Sequence, residues 1–176
     1  AGCYGMVSGK VADPDDFFHS FFLNAGTYLG LARAEEMFRE TAPDMAARLA
    51  AELPAYRADI RAGFEHAQAR APVIPLPDGS WAPLMPPWVE AAGATTLYAD
   101  GGNWFSHGAF ASRSNLTGPL WLIPAGVLDP DERATDFLLK TNQYPMTLDN
   151  AALSQPYYCR HDVAHLLRGE VAAYLR

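Results

Sequence analysis

The sequence predicts an all-α chain, an arc of antiparallel αα-hairpins that carries a small β-ribbon in one long loop. Three observations lead there. Apolar residues recur every three or four positions over two long stretches separated by a very short connection. A helix-start signal, Asp-Pro-Asp, stands at residues 13–15 and again at 129–131. Between the helical stretches lies residues 71–113, APVIPLPDGSWAPLMPPWVEAAGATTLYADGGNWFSHGAFASR, punctuated throughout by proline and glycine and rich in aromatic rings. A loop of that length in a small domain is more often functional than decorative.

The first helix is expected over about 14–40. Asp13 can cap it, Pro14 fits its first position, and Asp15 and Asp16 suit the positive end of its dipole. Phe17, Phe18, Phe21, Phe22, Ala25, Tyr28, Leu29 and Ala32 give its apolar stripe. Thr41 and Asp44 form a second start signal of capping-box type. A helix over 44–70 follows, with Met45, Leu49, Leu53, Tyr56, Ile60, Phe64 and Ala67 on one face and Pro54 expected to kink or divide it. These two form an αα-hairpin. In the loop, Asp78-Gly79 between extended segments signals a tight turn, and the prolines restrict the strands to an edge ribbon. A second hairpin is expected from helices at 116–128 and 131–141. A third is expected from 157–167 and 170–176, turning near Arg168-Gly169. No strict repeat consensus is present.

Composition narrows the function classes. The chain has 176 residues, 49% hydrophobic and 19% charged, enough for one domain with a core. Its formal net charge is −7 and its only lysines are Lys10 and Lys140. Such a chain is a poor partner for a phosphate backbone, so no nucleic-acid partner is expected. No run approaches the roughly 20 apolar residues of a membrane span, so no membrane partner is expected either. The chain opens on Ala1 and stops inside a helical pattern, which predicts an excerpt of a longer protein or a processed one. Cys3 and Cys159 say little about redox compartment.

Several motifs, taken together, resemble a known group. They are Tyr56-Arg57-Ala58-Asp59-Ile60, Pro72-Val73-Ile74-Pro75-Leu76, Asp78-Gly79-Ser80-Trp81 and Pro86-Pro87-Trp88. Gly118-Pro119-Leu120, Gly126-Val127-Leu128-Asp129-Pro130 and Gln155-Pro156-Tyr157-Tyr158 follow. From about Gly5 to Arg176 the chain resembles bacterial proteins of the six-hairpin glycosidase-like superfamily. The resemblance implies an (α/α)6 toroid, of which this chain would supply about half. It also implies that the rest of the toroid comes from another chain segment or a partner. The activity it implies is glycoside hydrolysis, and the ligand a saccharide.

Glycoside hydrolysis usually needs two carboxyl groups, one acid and one base or nucleophile. The loop carboxylates are Asp78, Glu90, Asp100 and Asp149. Asp78 is explained by its turn and Glu90 by the surface. Asp100, before Gly101-Gly102-Asn103-Trp104, and Asp149, in Thr147-Leu148-Asp149-Asn150, are the candidate catalytic pair. Trp81, Trp88 and Trp104 offer rings for stacking on a sugar, and His107, Arg113, Tyr157, Arg160 and His161 offer hydrogen bonds. Two alternatives stand beside this reading. One is a carbohydrate-binding or scaffold module that cleaves nothing. The other is a metal site at His161 and His165, which share a helical face. The string HDVAH has Asp where the zinc-protease motif has Glu, and it lacks an evident third ligand. Polar packing at the mouth of an inner helix is the preferred reading there, with no metal and no cofactor expected. His19, in FFHSFF, reads as a core or interface histidine.

Overall fold

The structure, a computed structural model, describes residues 4–9, 18–93, 118–143 and 160–175. In chain order the elements are α1 (Phe21–Thr41), α2 (Pro43–Arg70), β1 (Val73–Pro75), β2 (Trp81–Pro83), a 3-10 helix (Pro119–Leu122), α3 (Arg133–Thr141), α4 (His161–Leu167) and α5 (Val171–Tyr174). The chain is mostly helical, and β1 and β2 form the only sheet among the described residues.

α1 and α2 join through Ala42 alone and run antiparallel. Phe21 lies against Phe64, ring centroids 5.8 Å apart, and Tyr28 against Tyr56 at 6.4 Å, so numbering rises on one helix as it falls on the other. α2 runs unbroken through Pro54, which does not divide it. Pro54 and Ala50, whose carbonyl loses its usual partner, are both exposed, so water can serve that carbonyl. Thr41 does not form the expected cap. It sits in the last turn of α1, where its hydroxyl donates to the Met37 carbonyl at 3.4 Å, and Ala42 takes the N-cap position of α2.

Two expected helices are corrected. The first begins at Phe21, not near residue 14, because residues 18–20 are extended. Phe18 bridges Gly9 and Ser20 bridges Trp88. The Phe21 N–H donates to the Pro87 carbonyl at 3.1 Å, and the Val89 N–H to the His19 carbonyl at 3.3 Å. Pro86 and Pro87 favour extended backbone before them, and pairing with that segment displaces an extra helical turn. The Asp13-Pro14 signal lies outside the described residues. The second correction concerns 116–128, where among the described residues from 118 on only Pro119–Leu122 is helical, in a single 3-10 turn. Pro124 has no N–H to extend it, and Gly126 turns the chain at φ +77°. The Val127 and Leu128 N–H groups then fold back onto the Leu122 carbonyl, at 2.9 and 3.0 Å. The second αα-hairpin expected from 116–141 is therefore absent. α3 instead packs on β2 and the 3-10 turn, and α4 packs on α5.

The core lies where α1, α2, the 84–91 segment, the 3-10 turn and α3 meet. Phe21, Ile60, Phe64, Leu120, Leu122, Ile123, Val127 and Leu128 are all essentially inaccessible. Burying each large side chain contributes about 1.5–3 kcal/mol. Gly63 lets this core close, since a Cβ there would stand 2.6 Å from the Met6 sulfur. Asn24, fully buried, ties residues 4–9 to the hairpin. Its Oδ1 accepts from the Val7 N–H at 2.8 Å and the Tyr56 hydroxyl at 2.6 Å, while its Nδ2 donates to the Val7 and Ser20 carbonyls. Every hydrogen-bonding site of that amide is used.

Arginines of α2 clamp the far side. Arg57 donates to the Gly126 carbonyl at 2.8 Å, and Arg61 to the Val127 carbonyl at 2.9 Å and to Glu132 at 3.0 Å. Arg168, after α4, reaches back to the Pro130 carbonyl and to Asp136. Asn142, after α3, meets His161 at the start of α4. α3 and α4 are thus antiparallel. The ribbon meets this pair at the C-terminal end of α3, and the 86–89 segment meets the start of α1. The ribbon, the first turn of α1, the end of α3 and the start of α4 therefore gather on one side.

Candidate functional site

The ribbon is built by its turn. β1 and β2 pair Val73 with Pro83, Ile74 with Ala82 and Pro75 with Trp81. The Leu76 N–H donates to the Ser80 carbonyl at 2.8 Å and the Gly79 N–H to the Leu76 carbonyl at 2.9 Å. Asp78 Oδ1 accepts from the Ser80 N–H at 2.9 Å and the Ser80 hydroxyl at 2.6 Å. Its other oxygen takes the Lys140 ammonium at 3.1 Å, which pins the tip to α3. The Thr141 hydroxyl pins the other strand through the Pro83 carbonyl at 3.0 Å. The Ser80 hydroxyl and N–H, then Lys140, hold the Asp78 carboxyl down at about 2. It is an ionised anchor with no proton to donate, in keeping with its reading as a turn residue.

This frame presents Trp81 outward. Its residue surface is 62% exposed, on a strand whose next two residues, Ala82 and Pro83, are buried. Trp88 differs. One face of its indole is covered by Phe18, stacked at 4.5 Å and within 3° of parallel, and its backbone bridges Ser20. Its neighbour Glu90 hydrogen-bonds the His19 ring, so Glu90 is a tertiary contact where a plain surface role was expected. His19 is half-buried at that junction.

Arg160 and His161 open the second part of the site. The Arg160 guanidinium lies over the Trp121 ring, 4.6 Å from its centroid, and Trp121 also meets the edge of Phe22 at 5.1 Å. A planar cation on an indole is a favourable pair that leaves the guanidinium edges able to donate. His161 Nδ1 lies 3.0 Å from the Asn142 Nδ2, and its Nε2 lies 3.0 Å from the Nε2 of His165. His165 Nδ1 lies 2.5 Å from Glu170, which also accepts from Arg168 at 3.0 Å. Burial, then the neighbouring His165, holds the His161 imidazole down at about 4. The Glu170 carboxyl is held low by His165 and Arg168. The polar packing expected at the helix mouth is present, and it is a continuous line from α3 through both histidines to the α4–α5 turn.

Of the sequence-derived candidates, Trp81, Trp88, Arg160, His161 and His165 are described. Asp100, Asp149, Trp104, His107, Arg113 and Tyr157 lie outside the described residues, as do Cys3 and Cys159. Sequence reading missed Lys140, Trp121, Asn142 and Glu170, whose roles depend on contacts between distant segments. It also missed a separate cleft of about 350 Å3 between α1 and α2, lined by Thr27, Leu31, Leu53, Tyr56 and the carboxylates Glu52 and Asp59. Those acids are seven residues apart on α2, about 10 Å along the axis. Asp59 is pressed against Gly5, where a Cβ would stand 2.2 Å from its Oδ2. The cleft lies at mid-hairpin, away from the ribbon. No protein-family model, no curated protein and no solved structure matches this chain.

Proposed function

We propose that this chain is part of a carbohydrate-active, glycoside hydrolase-like protein that binds a saccharide on the ribbon side of the helices. The observation that carries the reading is Trp81, an exposed indole on a ribbon fastened at its tip by Lys140 and Asp78. A flat apolar ring held rigidly, with polar groups beside it, suits the apolar face of a sugar and its flanking hydroxyls. Asp78, Ser80 and Lys140 supply those polar groups. The family resemblance points the same way, and in that reading Asp100 and Asp149 would carry the acid and base work.

The toroid belongs to the same proposal. Leu166 and Leu167 of α4, Val171 of α5 and Leu175 just after it are exposed, Leu175 at 75%. An apolar face of that size suits further αα-hairpins, from the continuing chain or from a partner. A second reading, binding without cleavage, is favoured by one observation. Both described carboxylates of the loop, Asp78 and Glu90, are used in structural side-chain contacts.

A panel of oligosaccharides tests the proposal, with binding read by calorimetry and cleavage by released reducing ends. Binding that is lost in Trp81→Ala supports the saccharide face. Cleavage lost in Asp100→Asn or Asp149→Asn supports the hydrolase, and binding with no cleavage supports the module. Absence of binding across the panel refutes both.

A further inference from the structure

His161 and His165 stand four residues apart on α4, and their Nε2 atoms face each other at 3.0 Å. We propose that these two atoms chelate a first-row transition ion of borderline softness, Zn2+ or a close relative. The site is independent of the saccharide reading.

The first argument is the angle between the rings. At this nitrogen separation, a straight N–H···N bond in line with both rings would put their centroids about 5.3 Å apart. Two imidazoles aimed at one ion about 2.0–2.1 Å from each nitrogen would put them about 4.7 Å apart. The observed centroids are 4.6 Å apart with the planes at 78°. The rings therefore bend toward each other and do not lie end to end, a separation that a shared ion fits.

The second argument is what holds the outer nitrogens. Metal-bound histidines usually have the other ring nitrogen fixed by a carboxylate or amide. Here Glu170 holds Nδ1 of His165 and the Asn142 side chain holds Nδ1 of His161. Glu170 is itself fixed by Arg168. Both rings are thus fixed from behind, and the His165 side chain is only 13% exposed.

Without metal, a neutral proton arrangement satisfies the polar line. The Asn142 amide donates to His161 Nδ1, His161 Nε2–H donates to His165 Nε2, and His165 Nδ1–H donates to the Glu170 carboxylate. On metal binding, the single proton of His161 moves from Nε2 to Nδ1, and the Asn142 amide turns to present its oxygen. From that neutral arrangement, two metal–nitrogen bonds replace two metal–water bonds and neither ring releases a net proton. Among the described residues no third His, Cys, Asp or Glu completes a cluster with the two histidines. Arg160 and Asp162 are the nearby charged residues at the start of α4, Arg168 and Glu170 those of the α4–α5 turn, and Asp136 and Lys140 those of α3.

The test uses the full chain without a histidine tag, stripped with a chelator and titrated with Zn2+. Calorimetry should show one site in the micromolar range. In a spectrum of the imidazole nitrogens, Zn2+ should shift Nε2 of His161 and His165 and leave His19, His66 and His107 unmoved. His161→Gln and His165→Gln should each weaken binding at least tenfold, and Glu170→Gln about tenfold, as loss of an outer partner usually does. The proposal is overturned if no stoichiometric site is found, or if Zn2+ shifts other histidines. Should a variant fail to fold, the wild-type nitrogen spectrum decides alone.

Discussion

Trp81 and Trp88 lie seven residues apart in one proline-rich segment, and the structure uses them in opposite ways. Trp88 is held between the start of α1 and the chain behind it, with Phe18 on one face of its ring. Trp81 stands on a strand tip with most of its surface in solvent. Composition and local pattern are alike at the two positions. The difference comes from what the rest of the fold brings to each. The 86–89 segment pairs with the backbone of 18–21, whereas the ribbon tip meets α3 through the side chains of Lys140, Asp78 and Ser80. An aromatic ring in a loop thus becomes part of the core or part of a surface according to its partner segment.

The contrast can be broken most directly by truncating both rings. Trp88→Ala should lower unfolding free energy by about 2–4 kcal/mol, since it removes a stacked, half-buried indole. Trp81→Ala should change it by no more than about 0.5 kcal/mol, as expected for an exposed site. Urea denaturation of the two variants measures both. Equal losses would show that Trp81 is also a packing residue.

Saccharide affinity should show the reverse order. Trp81→Ala should weaken binding about tenfold, roughly 1.4 kcal/mol, with little further effect of Trp88→Ala in whatever fraction remains folded. Lys140→Met sharpens the point. It frees the ribbon tip from α3, so affinity should fall a few-fold while the melting temperature moves by no more than about 2 °C, because exposed ion pairs stabilise little.

The smallest effect concerns Asp78. Its carboxyl is held at about 2, against an ordinary value of 3.8. A depressed carboxylate contributes fully above the ordinary value, and the contribution is lost as pH falls through the folded one. The ribbon anchor should therefore be intact above pH 4 and released between pH 4 and 2. Carbon-detected titration of Asp78 checks this. Ser80→Ala should raise the midpoint more than Lys140→Met, because the Ser80 hydrogen bonds are the larger cause.

Much of this fold was legible in the sequence. The apolar spacing of Phe21, Ala25, Tyr28, Ile60 and Phe64 marked the long hairpin, and Asp78-Gly79 marked the ribbon. Helical spacing misled at 116–128, where Leu120, Leu122, Ile123, Val127 and Leu128 are buried but Pro124 and Gly126 break the helix. There the proline chemistry outweighed the periodicity. The true start of α1 was not readable either, because residues 18–20 pair with a segment some 70 positions away. The same holds for the site. Trp81 and His161 could be singled out as residue types, but Lys140, Trp121, Asn142 and Glu170 gain their roles only through tertiary contacts. Arg57, Arg61 and Arg168 are clamps between elements, a role that no local pattern shows.

The central claim is that Trp81 is a saccharide platform and Trp88 is not. Titrating the protein with the oligosaccharide panel while following the four indole N–H resonances tests it most directly. The account predicts that at least one saccharide shifts the Trp81 resonance in a saturable way and leaves Trp88 and Trp121 in place. A Trp81 resonance unmoved by every saccharide, or binding that survives Trp81→Ala undiminished, would contradict it.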